Sequence, residues 1–176
     1  MPWLVFSYSL PSKAQSSPRV ALWRRLRRLG AITLTGGIHV LPSREEDVEA
    51  FQWLAEEVQQ AKGEAVVMRV EQFEGLTDAD LIERFRRARA QDYTALEAQA
   101  SALEERLRAR LKPEERPRLR ERLERLRRQH AEVARIDFFD APEGSLVAAH
   151  LARIAQALAA GEASSTTIVP ARPFVV

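Results

Sequence analysis

AITLTGGIHVLPSREEDVEAFQWLAEEVQQAKGEAVVMRV, residues 31–70, carries three kinds of local signal in a fixed order. Ala31–Thr35 and Ile38–Leu41 are β-prone runs joined by Gly36-Gly37, a pair that suits a two-residue hairpin turn. Pro42-Ser43 and the acidic residues Glu45, Glu46 and Asp47 then open a helix, since negative charge favours a helix N-terminus. Val48, Phe51, Leu54, Ala55 and Val58 give that helix one apolar face, and Lys62-Gly63 closes it. Glu64–Val70 reads as another strand.

Upstream, Trp3–Pro11 (WLVFSYSLP) is aromatic and β-branched and reads as a buried strand. A loop with Lys13, Ser16, Ser17 and Pro18 supplies cap chemistry for a helix over about Arg19–Leu29, ended by Gly30. Val20, Trp23, Leu26 and Leu29 are its expected apolar stripe. Arg24, Arg25, Arg27 and Arg28 fill the other face. The order β-α-β-β-α-β is the ferredoxin-like pattern, in which two helices cover one face of a four-stranded antiparallel sheet.

Downstream of Glu74-Gly75 the character turns helical. Thr77 and Asp80 mark a capped start, and the helical pattern continues to about Arg110 with Leu96, Leu103, Leu107 and Leu111 on one side of its second half. The prolines at 113 and 117 interrupt it. Leu119, Leu123, Leu126, His130 and Val133 then form a two-heptad seam. Two such helices predict a long antiparallel helical hairpin, about 30 Å for twenty residues a side. IDFFDAP (Ile136–Pro142) leads to a C-terminal helix at about Glu143–Ala159, with Leu146, Ala149, Leu151, Ile154 and Leu158 as apolar positions. The expected organisation is α+β: a ferredoxin-like domain at 1–75, a helical part at 76–160 packed as one unit with it, and an extended tail at 161–176.

Across 176 residues, 45% apolar and 30% charged residues are an ordinary globular balance. The absence of Cys removes disulfides, thiolate metal sites and a Cys nucleophile. No apolar run approaches the roughly 18 residues that span a bilayer, and no basic region precedes the first apolar stretch, so a soluble cytoplasmic protein is expected. Net charge is +2, but residues 76–136 hold 16 basic and 12 acidic groups while residues 137–176 are net negative. Twenty-four of the 27 basic residues are Arg and the chain has no Asn, a bias shared by GC-rich and heat-adapted bacteria.

The helix over Arg19–Leu29 contains no acid. A guanidinium forks onto two phosphate oxygens, so Arg19, Arg24, Arg25, Arg27 and Arg28 are the first candidates for DNA or anion contact. Arg84, Arg86, Arg87 and Arg89 form a second set, although Asp80 and Glu83 stand four residues before Arg84 and Arg87, where ion pairing stabilises a helix. The excess of Arg118, Arg120, Arg122, Arg125, Arg127 and Arg128 over Glu121 and Glu124 extends the basic character to the next helix. Lys13, near the first helix's N-terminus, is an oxyanion candidate. His39, His130 and His150 are too scattered for a metal site and read as structural, with His39 on the sheet face opposite Ile38 and Val40. Nucleotide-loop, metalloprotease and nucleophile-elbow motifs are missing, and no cofactor or catalytic residue is expected.

The stretches WLVFSYSLPSKAQSSPRVALWRRLRRLGA, GGIHVLPSREEDVEAFQWLAEEV and GEAVVMRVEQFEGLTDADLIERFRRARAQDY, followed by IDFFDAP, together resemble the N-terminal domain of the ChrB chromate-resistance regulator family over about residues 3–160. The resemblance implies a DNA-binding transcriptional regulator, a homodimer, with chromate as the effector. The first 70 residues are also similar to the central domain of the phenylacetate-pathway repressor PaaX, itself similar to a CRISPR nuclease family. That likeness implies dimerisation through the sheet. The nuclease is not carried over, because the first strand ends in Ser7-Tyr8-Ser9 where that family has its catalytic Asp. Full-length ChrB proteins continue into a C-terminal domain. A chain of this length is thus expected to bind DNA, or a separate ChrB C-terminal-type protein, without sensing chromate alone. The alternative is a non-enzymatic protein–protein module that docks through the helical hairpin.

Overall fold

A computed structural model describes residues 1–11, 16–109 and 112–163. Four strands, β1 (Trp3–Ser9), β2 (Ile32–Thr35), β3 (Ile38–Pro42) and β4 (Glu64–Val70), form one antiparallel sheet in the order β2-β3-β1-β4. The helices are α1 (Ser16–Leu29), α2 (Glu45–Gln60), α3 (Asp78–Arg108), α4 (Arg116–Arg135) and α5 (Pro142–Ala163). The protein is α+β. Two compact units divide it: Met1–Ala88 with Ile136–Asp140, and Arg89–Arg135 with the chain from Ala141 onward. The last helix runs through Ala163, and the rest of the expected tail lies outside the described residues.

In the first unit both faces of the sheet are apolar, because Trp3–Phe6 is an unbroken hydrophobic run whose alternate side chains point to opposite faces. Residues directly opposite across the strands share a face, so Phe6 lies with His39 and Val67, and Trp3 with Pro42 and Val70. On the first face the ring of Phe6 stands 5.2 Å from Phe51 of α2, and Leu22, Leu26, Leu54 and Val58 complete the core. On the second face Trp3 stacks on Phe85 at 5.8 Å, and Phe139 lies 6.1 Å from it. The first turns of α3 and the Ile136–Asp140 segment thus cover the Trp3 end of the face opposite α1 and α2, while Val66 and Met68 of β4, on the same face, stay exposed.

This placement decides His39. It is buried under the helices, its ring stacked 5.6 Å from Tyr8 and its Nδ1 3.1 Å from Thr33 Oγ1. Burial lowers its pKa.

Helix α1 begins three residues before the expected Arg19 and carries a different apolar stripe. Leu22 and Leu26 are buried and Leu29 is half-buried, whereas Val20 is 42% and Trp23 51% exposed. Steps of three residues drift around a helix of 3.6 residues per turn, so Val20 and Trp23 leave the face that Leu26 occupies. Gly30 ends α1 with φ +79°, where its N–H donates to Arg27 and that of Ala31 to Leu26, a paired C-terminal cap.

Gly37, also at φ +79°, makes the hairpin turn and accepts a 2.9 Å bond from the Tyr8 N–H. A Cβ at Gly37 would sit 2.6 Å from the Tyr8 carbonyl oxygen. Gly37→Ala is therefore expected to cost more than about 1 kcal/mol, read as a lower denaturation midpoint with unchanged slope.

Helix α3 starts with the reciprocal cap expected from sequence: the Thr77 N–H donates to Asp80 Oδ2 at 2.9 Å and the Asp80 N–H to Thr77 Oγ1 at 3.2 Å. Hydrogen bonds from Thr77 hold the Asp80 carboxyl below its ordinary value of 3.8. A carboxyl lowered in the folded state stabilises the fold fully above that value and loses the contribution as pH falls through the lowered one. Asp80→Asn should therefore weaken the protein at neutral pH and flatten its loss of stability on acidification below about pH 4, measured by denaturant midpoints across pH.

In the second unit Leu96, Ala100 and Leu103 of α3 share a core with Leu119, Leu123 and Leu126 of α4. Helix α5 contributes Val147, Leu151, Ile154 and Leu158. Leu146 and Ala149, expected on that face, are exposed instead. The buried spacing of 4, 3 and 4 holds one stripe on the helix, and Leu146 and Ala149 fall beside it.

Candidate functional site

The sequence makes the C-terminal half of α1 a concentrated positive feature. Its first turn has no acid, and Arg27 and Arg28 lie in its last turn, where cations complement the exposed carbonyls. Because Leu22 and Leu26 point inward, Arg24, Arg25, Arg27 and Arg28 are all exposed. Arg24 makes no ion pair among the described residues. Arg25 pairs with Glu57 of α2. The guanidinium of Arg27 stands 5.3 Å over the ring of Trp23, one turn earlier on the same helix. Arg19 donates to the Leu10 and Pro11 carbonyls, each at 3.1 Å, so it ties the end of the β1 connection to α1.

The aromatic surface was not anticipated. Trp23 and Val20, both assigned to the core by spacing, stand on the basic helix in solvent, and Trp53 of α2 is 68% exposed. The competing stripe Leu22, Leu26 and Leu29, at i, i+4 and i+7, was the available signal for Trp23. For Trp53 the signal was its place between Phe51 and Leu54, outside the Phe51, Leu54 and Val58 stripe.

The second arginine set is engaged within the protein. Arg86 donates to the Phe139 carbonyl at 2.9 Å and Arg87 pairs with Glu83 at 3.7 Å. Arg84 is exposed and lies in the field of Asp80. Arg89 departs furthest from a surface contact: it is buried and paired with Asp92 at 3.1 Å, with its Nε and one Nη lacking hydrogen bonds among the described residues. Lys13 lies outside the described residues. On α4, Arg125 pairs with Glu121 and Arg127 with Glu124, both on the solvent side.

His130 and His150 are held by hydrogen bonds inside the second unit. His130 Nε2 is 2.9 Å from the Gly144 carbonyl and its ring 5.6 Å from Tyr93. His150 is buried, with Nδ1 2.6 Å from Glu97 Oε1. No group of three His, Asp or Glu side chains among the described residues is arranged to hold a metal ion. No described helix is long and apolar enough to cross a membrane.

No curated protein matches the chain. A family model described as Protein ChrB, N-terminal, matches residues 19–164, from the first arginine of α1 to beyond the end of α5. That span takes in the basic helix, the sheet from β2 onward and the whole helical unit, and the chain accordingly belongs to the ChrB N-terminal family, a family tied to the regulation of chromate resistance.

Proposed function

We propose that this protein is a ChrB-type transcriptional regulator, or the DNA-reading subunit of one, that contacts the phosphate backbone through α1. The observation that carries this reading is the exposed face of α1, with arginines at 24, 25, 27 and 28, no acid, and Trp23 in their midst. Guanidinium groups neutralise phosphates, and an aromatic ring beside them has a π-face to offer a base or sugar. Arg24 and Arg25 lead the interface. The contacts of Arg86, Arg87 and Arg89 within the protein give the set of Arg84, Arg86, Arg87 and Arg89 the lesser share.

The first unit supports a ferredoxin-like reading, because β1 is flanked by β3 and β4 and both consecutive crossovers return through a helix. Helices α3 and α4 we read as an antiparallel helical hairpin. The protein acts without catalysis, in the cytoplasm, as a homodimer on DNA, with chromate or a separate ChrB C-terminal-type protein modulating it.

Fluorescence anisotropy of a labelled duplex from the gene's own upstream region, against a scrambled duplex at two salt concentrations, tests the reading. Four phosphates neutralised by α1 give a log–log salt slope of about −4, and the native duplex should bind more tightly. Adding chromate should release it if the sensor is present. No binding to either duplex at low salt overturns the proposal.

A further inference from the structure

The second unit holds an open cavity of about 360 Å³ between α3 and α5. Its walls are apolar: Tyr93 from α3, and Leu146 and Val147 from α5. Leu146 is 68% exposed, a large apolar side chain at the rim with little protein covering it. The polar lining is of another kind. Glu97 Oε2, Glu143 Oε2 and His150 Nε2 are buried atoms with no hydrogen-bond partner among the described residues.

Buried acceptors left unpaired are costly, and the cost is larger for charged groups. His150 is 4% exposed and cannot turn away to water. Its Nδ1 is engaged by Glu97 Oε1 at 2.6 Å, and its Nε2 lies 3.4 Å from Glu104 Oε2 without a hydrogen bond. The polar end of the cavity therefore presents carboxylate oxygens that want donors, and Arg153 is set in the lining as the one opposing formal cation beside the histidine.

We propose that this cavity binds a small organic amine in its ammonium form. The hydrocarbon body lies against Tyr93, Leu146 and Val147, and the N–H groups donate to the free oxygens of Glu97 and Glu143. A volume at the low end of ligand pockets fits a compact metabolite. Chromate and phosphate are excluded here, because a doubly charged oxyanion would face two carboxylates. The ligand of this site is thus opposite in sign to the oxyanion with which the family is associated. The proposal stands apart from DNA binding and survives its failure.

The test is a titration of the full chain with benzylamine, followed by amide NMR, with benzyl alcohol, benzoate and chromate as controls. Saturable shifts are expected at Thr94, which lines the cavity, and at Gly144, which packs on the Tyr93 ring, with benzylamine alone. Glu143→Gln keeps the shape and removes the charge, and should weaken binding by about tenfold or more, the scale of a charged hydrogen bond. Ala149→Trp, on an exposed position of α5 that lines the cavity, should abolish it by filling the space. Absence of saturable shifts at about 10 mM benzylamine overturns the proposal, since that concentration exceeds millimolar affinity. So does equal binding by benzoate, or by the Ala149→Trp protein, whose fold is verified by unchanged shifts in the first unit.

Discussion

The Arg24→Glu/Arg25→Glu protein should bind duplex DNA at least about 100-fold more weakly than the wild type. Each lost charge-assisted contact to a phosphate is worth about 1.5–3 kcal/mol, and reversal adds repulsion. The fold should survive. Both arginines are exposed, and the one ion pair broken, Arg25 with Glu57, joins two side chains about half in solvent. Pairs of that kind contribute at most about 1 kcal/mol. Circular dichroism and the denaturation midpoint would confirm that the variant is folded, and the log–log salt slope should become shallower as contacts are lost. Arg25→Gln separates the two roles of that residue, since it loses the Glu57 pair without adding repulsion toward DNA. Equal affinity of the double variant and the wild type would move the interface off α1.

Trp3→Ala should be the most damaging single core truncation in the first unit. Trp3 is fully buried, stacks on Phe85 at 5.8 Å, and donates from Nε1 to Asp78 Oδ1 at 2.7 Å. Truncating a buried aromatic residue costs about 3–5 kcal/mol through lost transfer energy and the cavity left behind. That is a large part of the 5–15 kcal/mol that holds an ordinary domain together. The melting temperature should fall by about 10 °C or more. Trp53→Ala is the matched control, because a side chain 68% exposed leaves the midpoint within about 0.5 kcal/mol. If Trp3→Ala melts like the Trp53 variant, the Trp3 end of the second face is not the packed core described above. The two variants also divide the fluorescence: the Trp3 signal reports unfolding, and Trp23 beside Arg27 reports events at the basic helix.

The covering of that second face explains why the IDFFDAP segment was readable only as a connection. Phe138 and Phe139 are apolar residues in a loop, with no periodicity to assign them a side. Their partner Phe85 lies more than fifty residues earlier, and the rings meet at 5.9 and 5.4 Å once α3 has crossed the sheet. Local signals of another kind survived intact. The Gly36-Gly37 hairpin, the Thr77–Asp80 cap and the heptad run from Leu119 each depend on neighbours within a few residues, so the chain carries them in any context.

The amphipathic stripes show the boundary most clearly. Val20-Trp23-Leu26 and Leu22-Leu26-Leu29 are both apolar series on one helix, and Leu26 belongs to each. Burial on the sheet selected the second because it is the straighter stripe, and that choice put Trp23 among the arginines. On α5 the same competition put Leu146 on the cavity rim.

By itself the sequence determined the order of strands and helices, the caps and turns, the family and the placement of five arginines on one acid-free helix, because these follow from residue type and short-range spacing. Only the tertiary structure decided which charges remain available. Glu57 reaches Arg25 across two helices, the Phe139 carbonyl takes Arg86 from 53 residues away, and burial removes Arg89 from the surface. A charge is free or engaged according to what packs beside it. That is a property of contacts between distant segments, which local pattern does not encode.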